Sequence, residues 1–308
     1  MDTNALLSSV ENDCHKGFRS RLLRMSDDGT VVLYASDHVL DEAYEHLPRM
    51  AKRGLVPLET LRSHFEAEYL PALRFVTLSN ADGLDEQVLA IADPDDVPTG
   101  QLAKLVAPCV VLSDDKHLKR PGFAPKDWRK VAMSAVDVGE GRQRQTITAN
   151  AAALPLQGVA GLVGSAGRSL GVSPWLLGAA ALGAGAMLLK NADRRKMTTT
   201  FFGNVIQVLG DQLALAAAQE RQGIEGLRAV MLTTVSTPTV RQQIAIVLAR
   251  QTEPLLAAEV HGLLYDHFPD EPAVTVQDVR SLLEGQTEFV RVQRYRWQFG
   301  HQVAPRPC

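Results

Sequence analysis

The chain has 308 residues, 45% of them apolar, with a formal net charge of -3. That length suits about two domains of ordinary size, and the charge excludes a global attraction to nucleic acid, leaving only local basic patches. Cys14, Cys109 and Cys308 are odd in number and far apart, which excludes a disulfide framework or a C-x-x-C site; reduced thiols in an intracellular protein are expected. No basic stretch followed by an apolar run opens the chain, so no secretory signal is expected.

From Met1 to about residue 135, β-branched runs alternate with amphipathic segments, the pattern of βα units and a parallel sheet flanked by helices. The best strands are Val31 to Tyr34, Phe75 to Leu78 and Cys109 to Leu112. Helical patterns cover Phe18 to Met25, Val39 to Arg53, Leu58 to Ala67, Asp85 to Ala92 and Gly100 to Val106. Residues 136–150 are polar and aperiodic, with glycines at 139 and 141, and read as a linker.

Residues 151–230 form a Gly/Ala-rich helical region. Within it, Leu154 to Gly167 and Pro174 to Leu189 are apolar runs, and a basic cluster from Lys190 to Lys196 follows. The second run is shorter than the ~20 residues of a spanning helix. Two readings stay open: a buried helical hairpin or oligomer contact, and a membrane-associated hairpin over 154–189 that would make an otherwise cytoplasmic protein an inner-membrane-associated one. Residues 237–302 read as three helices, Val240 to Arg250, Ala257 to Phe268 and Thr275 to Leu283, followed by a hairpin of Phe289 to Val292 and Tyr295 to Phe299.

The chemistry-bearing residues lie in the first stretch. Asp2, Asp96 and Asp115 stand where strands end or helices begin, and Glu42 lies on the first turns of a helix. Taken singly, each aspartate reads as a helix cap and Glu42 as a solvated helix residue. Taken together at one sheet edge, four carboxylates stay ionised only beside a cation, and hard oxygen ligands suit Mg²⁺ or Mn²⁺. Lys116, His117, Lys119 and Arg120 follow at once and are placed to hold phosphates. Asp93, Asp95 and Asp114 read as outer or solvent-facing acids. The other histidines show no zinc-ligand spacing.

The Asp2-Thr3-Asn4 opening, the Ser36 to Glu42 spacing, the run Asp93-Pro94-Asp95-Asp96 and the run Ser113-Asp114-Asp115-Lys116 together resemble the PIN domain over residues 1 to about 124. This is a metal-dependent ribonuclease family found in toxins and RNA-processing enzymes. The resemblance implies that Asp2, Glu42, Asp96 and Asp115 bind Mg²⁺ or Mn²⁺, that Ser113 orients them, that Asn4 matches the family's asparagine beside the first acid, and that the chain is an endoribonuclease. It also implies a homodimer and an antitoxin-like protein inhibitor, although no inhibitor-binding feature is legible. A PIN-like protein that binds RNA or protein without cutting, and a membrane-tethered effector, are the alternatives. The family's first acid ends a central strand, whereas only Met1 precedes Asp2 here; the expectation is a start lying upstream.

Residues 237–302 resemble, less specifically, a winged helix. The helix expected to read nucleic acid carries Asp278 and Glu284, so Arg291, Arg294 and Arg296 of the hairpin are the expected nucleic-acid contacts, with protein contact the competing role.

Overall fold

The computed structural model describes residues 1–54, 56–79, 85–146, 211–227, 235, 237–269 and 274–306. The chain is α/β and mostly helical, with one small parallel sheet of two strands and one small antiparallel sheet.

Helices α1 (Thr3–Lys16) and α2 (Arg21–Asp27) lead into β1 (Leu33–Ser36), which runs straight into α3 (Asp37–Arg53). Helix α4 (Leu58–His64) continues into a π-helical turn, Phe65–Tyr69, and then β2 (Leu73–Val76). Next come the short helix α5 (Glu86–Leu89), a 3-10 turn Pro94–Asp96, α6 (Val97–Leu105) and the single turn α7 (Lys116–Lys119). Strands β1 and β2 pair in parallel with Leu33 opposite Leu73 and Ser36 opposite Val76. Their alternate side chains Leu33, Ala35, Leu73 and Phe75 are buried against α1, α3 and α4, the period-2 outcome of a covered sheet.

Two expectations are corrected here. Cys109 to Leu112 is not a strand of either sheet: Cys109 alone is in a bridge, and the Leu112 carbonyl accepts from the Asp2 N–H at 3.0 Å. Residues 136–146 are not an irregular linker. They belong to helix α8, which spans 128–146.

The compact units follow different lines from the expected domains. Residues 1–136 and 225–308 make one unit, and residues 137–224 another. In the second unit the end of α8 packs on α9 (residues 211–227, of which the unit holds 211–224) through Arg142 to Glu220, Gln145 to Glu220, and Gln219 to Asp137 and Glu140. Gly141 makes that approach feasible, since a Cβ there would stand 2.8 Å from the Glu220 nitrogen. Among the described residues no helix is long and apolar enough to cross a membrane. The apolar runs of 154–189, on which the membrane reading rests, fall outside the described residues.

The carboxyl-terminal part of the first unit comprises α10 (Val240–Ala249), β3 (Leu255–Leu256), α11 (Ala257–His267), α12 (Val276–Gly285), β4 (Phe289–Gln293) and β5 (Arg296–Phe299), with strands ordered β3-β5-β4. Capping boxes start α10 at Thr239 with Gln242 and α12 at Thr275 with Asp278. These elements share one apolar cluster with Val76 of β2 and with Leu102 and Leu105 of α6. Polar ties reinforce it: the Tyr34 hydroxyl donates to the Ala249 carbonyl at 2.9 Å, and Phe75 exchanges two 2.8 Å backbone bonds with His301 on the outer edge of β2. Gly300, at φ +68, allows that edge contact; a Cβ would lie 2.7 Å from the Phe75 carbonyl oxygen.

The buried pair Arg241–Glu288 anchors the same interface, with Arg241 also donating to the Ser79 hydroxyl at 2.8 Å. Removing one partner strands a buried charge. Glu288→Ala is expected to destabilise the unit by about 3–5 kcal/mol in urea unfolding, and Arg241→Met combined with Glu288→Leu to cost much less.

Candidate functional site

Asp2 is the N-cap of α1, and its side chain accepts from the Thr3 N–H at 2.8 Å. Its other oxygen accepts from the Ser113 hydroxyl at 2.7 Å. Ser113 is fully buried, and the same Oγ accepts the Asp115 N–H at 2.9 Å. Asp115 in turn caps α7, accepting from the His117 N–H at 2.7 Å. One hydroxyl thus ties two aspartates 113 residues apart in sequence.

Asp96 arrives by another local device. Asp93 caps the 3-10 turn by accepting the Asp95 N–H at 3.1 Å, and the turn delivers Asp96 to the start of α6. There its side chain caps nothing. The residue is 8% exposed, and its Oδ2 is buried without a hydrogen-bond partner. An orphaned buried carboxylate oxygen is costly in water-free surroundings. Burial, reinforced by the charges of Asp2, Asp115, Asp93 and Glu42, pushes the Asp96 pKa up to about 7. Those four acids act on it because they converge. Burial also raises Asp2, against the lowering effect of the Ser113 hydrogen bond.

Glu42 sits on the second turn of α3 and accepts a hydrogen bond from the Thr3 hydroxyl, so the residue after Asp2 holds it toward the cluster. One turn earlier, His38 Nε2 stands 3.8 Å from Glu42 Oε1 and 3.9 Å from Asp95 Oδ1. One ligand atom from each of His38, Glu42 and Asp95 lies within 4.8 Å of the others, a geometry able to hold a cation. His38 also borders a cleft of about 600 Å³ that opens beyond the carboxyl ends of β1 and β2, where ligands enter open α/β sheets.

Hydrogen bonds thus join Asp2, Ser113 and Asp115, and the charges of Asp2, Asp115 and Glu42 reach Asp96, whereas the group of ligand atoms within 4.8 Å of one another among the described residues is His38, Glu42 and Asp95. The remaining expected residues are dispersed. Asn4 is exposed on α1 and Lys116 is exposed on α7. Lys119 pairs with Asp114 at 3.2 Å, and Arg129 pairs with the same carboxylate at 2.8 Å. Against the opposing effect of partial burial, hydrogen bonds from Trp128, Arg129 and Lys119 hold the Asp114 carboxyl below its ordinary range. Arg296 is committed to the Pro254 carbonyl at 2.8 Å and to Glu259 at 3.5 Å. Arg291 and Arg294 are exposed, and each guanidinium lies 5.2 Å from the centre of the Tyr295 ring.

Sequence reasoning gave Thr3 and His38 no role and read Asp95 as an outer or solvent-facing acid. His38 and Glu42 have i,i+4 spacing, which places them on one helix face and is the signal that was available.

The chain matches no family model, no curated protein and no solved structure. The site's chemistry is thus argued from its own residues.

Because the folded-state pKa of Asp96 lies above the ordinary aspartate value of about 3.9, the folded protein keeps a proton that the unfolded chain releases. This favours folding below about pH 4 and is lost as pH rises through 7. In metal-free buffer, the unfolding midpoint of the wild type is expected to fall between pH 4 and 7 relative to that of Asp96→Asn. Parallel profiles for the two proteins would show that Asp96 titrates normally.

Proposed function

We propose that the chain is a PIN-type, divalent-metal-dependent endoribonuclease with a winged-helix-like module built onto its catalytic unit. The observation that carries this reading is the buried Asp96 carboxylate: it has an oxygen without a partner and faces the charges of Asp2, Asp115 and Glu42. Such an arrangement is self-repelling until a cation joins it. Carboxylate oxygens are hard donors of the kind that suit Mg²⁺ or Mn²⁺, and His38, Glu42 and Asp95 offer a further cluster beside them.

Asp2, Glu42, Asp96 and Asp115 would hold the metal, which when bound supplies charge neutralisation at the scissile phosphate and acidifies a water. Ser113 and Thr3 keep their carboxylates in place before substrate arrives, so little reorganisation is left to the reaction. His38, at the cleft margin, is positioned to contact a phosphate or carry a proton. Arg291, Arg294 and Tyr295 form an exposed cationic and aromatic tip, suited to RNA backbone and unstacked bases. A PIN-like protein that binds RNA without cutting it is the second reading, favoured by the parallel sheet having two strands among the described residues.

The deciding experiment incubates purified protein with labelled RNA in Mg²⁺, Mn²⁺ or EDTA, with DNA in parallel. Cleavage is expected with either metal and absent in EDTA. Asp96→Asn should lower the rate at least about a hundredfold while keeping or raising the unfolding midpoint at pH 7.5. RNA binding without cleavage under every condition would replace the nuclease by the binding protein.

A further inference from the structure

His38 and Glu42 stand one turn apart on one face of α3, and Asp95 reaches them from the 3-10 turn before α6. His38 Nε2 lies 3.8 Å from Glu42 Oε1 and 3.9 Å from Asp95 Oδ1. Charge-assisted N–H···O bonds close to about 2.7–2.9 Å, so neither carboxylate is hydrogen-bonded to the ring. Nε2 is buried without a hydrogen-bond partner. The spacing suits a shared ion better. Ligand atoms about 2.0–2.1 Å from a tetrahedral Zn²⁺ stand roughly 3.3–3.4 Å apart, so each of these two pairs has to close by roughly half an ångström. The Thr3 hydroxyl holds Glu42 by Oε2, which leaves Oε1 to His38.

A second observation calls for a ligand at the same place. Ser36, at the end of β1, is 2% exposed; it occupies the N-cap position of α3 without capping it, and its Oγ is buried with no hydrogen-bond partner. Ser36 and His38 line the same cleft beyond the strand ends. A buried hydroxyl and a buried imidazole nitrogen with nothing to bond are polar groups that the fold leaves for an occupant.

We propose that His38, Glu42 and Asp95 form a binding site for a zinc-class ion, separate from the set of Asp2, Asp96 and Asp115 and sharing with it only Glu42. The imidazole decides the ion. Nitrogen ligands suit Zn²⁺ and its borderline neighbours, whereas Mg²⁺ demands an octahedron of oxygens and keeps several waters. Three protein ligands with one position left over, for water or an anionic oxygen, is the pattern of an open zinc site. The Asp95 side chain is 71% exposed, so an ion can enter from solvent. The site rests on its own donors and not on the chain being a nuclease. Only the ion-free protein leaves Nε2 to contact a phosphate or carry a proton.

The test titrates the full chain with Zn²⁺ by calorimetry in excess Mg²⁺, which competes for sites made of carboxylates alone. No RNA is present, so the result is independent of cleavage. One equivalent is expected to bind the wild type and to raise its unfolding midpoint. His38→Ala and Asp95→Asn should each weaken binding about tenfold or more. Asp96→Asn, and His15→Ala on the exposed end of α1, leave the three donors in place and should retain it. Metal-free unfolding midpoints check that each variant is folded, and the exposure of Asp95 keeps Asp95→Asn informative if His38→Ala is not. With Co²⁺ in place of Zn²⁺, visible absorption is expected in the wild type and should be lost in His38→Ala. Zn²⁺ binding unchanged by His38→Ala and Asp95→Asn would overturn the proposal, as would no binding by the wild type. Full displacement by Mg²⁺, or loss of binding in Asp96→Asn alone, would overturn it by assigning the ion to the carboxylate set.

Discussion

The arrangement depends on one hydroxyl. Ser113 donates to Asp2 and accepts from the Asp115 backbone, so a side chain with no charge of its own fixes the spacing of two that repel. Asp96 then completes the set without a donor on its buried oxygen, and Thr3 brings Glu42 in from α3. Each acid is delivered by a short local motif: a helix cap, a 3-10 turn, or a position one turn into a helix. Burial first, and then the convergence of these charges, raises the proton affinity of Asp96.

A second constraint is that the start and end of the chain are interlocked. Tyr34 and Arg74 donate to carbonyls of Ala249, Gln251 and Thr252, while Arg241 reaches Glu288 and Ser79. The helices and hairpin after residue 240 bury their apolar faces partly on β2 and α6. The exposed Arg291, Arg294 and Tyr295 tip is thus carried by the same compact unit as the acidic edge.

Much of the acidic edge was legible because caps are local: an aspartate before a helix announces its own geometry, and several of them in order point to a shared edge. His38 was not legible, since an i,i+4 pair on a helix is common and only coordinates show that Asp95 meets it. The glycines at 139 and 141 suggested a break in the chain. Gly141 lies instead inside a helix, where the absence of a side chain admits a neighbour. Cys109 to Leu112 has the composition of a strand, but a strand is defined by its neighbours, and composition cannot report those. The union of residues 1–136 with 225–308 was invisible for a related reason. Its ties, Tyr34 to Ala249 and Phe75 to His301, join residues more than two hundred positions apart and leave no periodic trace.

The pairing of Phe75 with His301 also bears on how the chain folds. The residues of β1 and β2 emerge from the ribosome long before residue 301, so the outer edge of β2 must wait, bare, for a partner synthesised much later. Contacts of such long sequence separation form slowly and leave strand edges open in the meantime. Asp37, which lines the cleft beside His38, also stands 3.6 Å from His301, so that margin of the cleft is finished only when the segment around residue 301 has docked. Synthesis itself would delay the moment at which that margin of the cleft becomes complete.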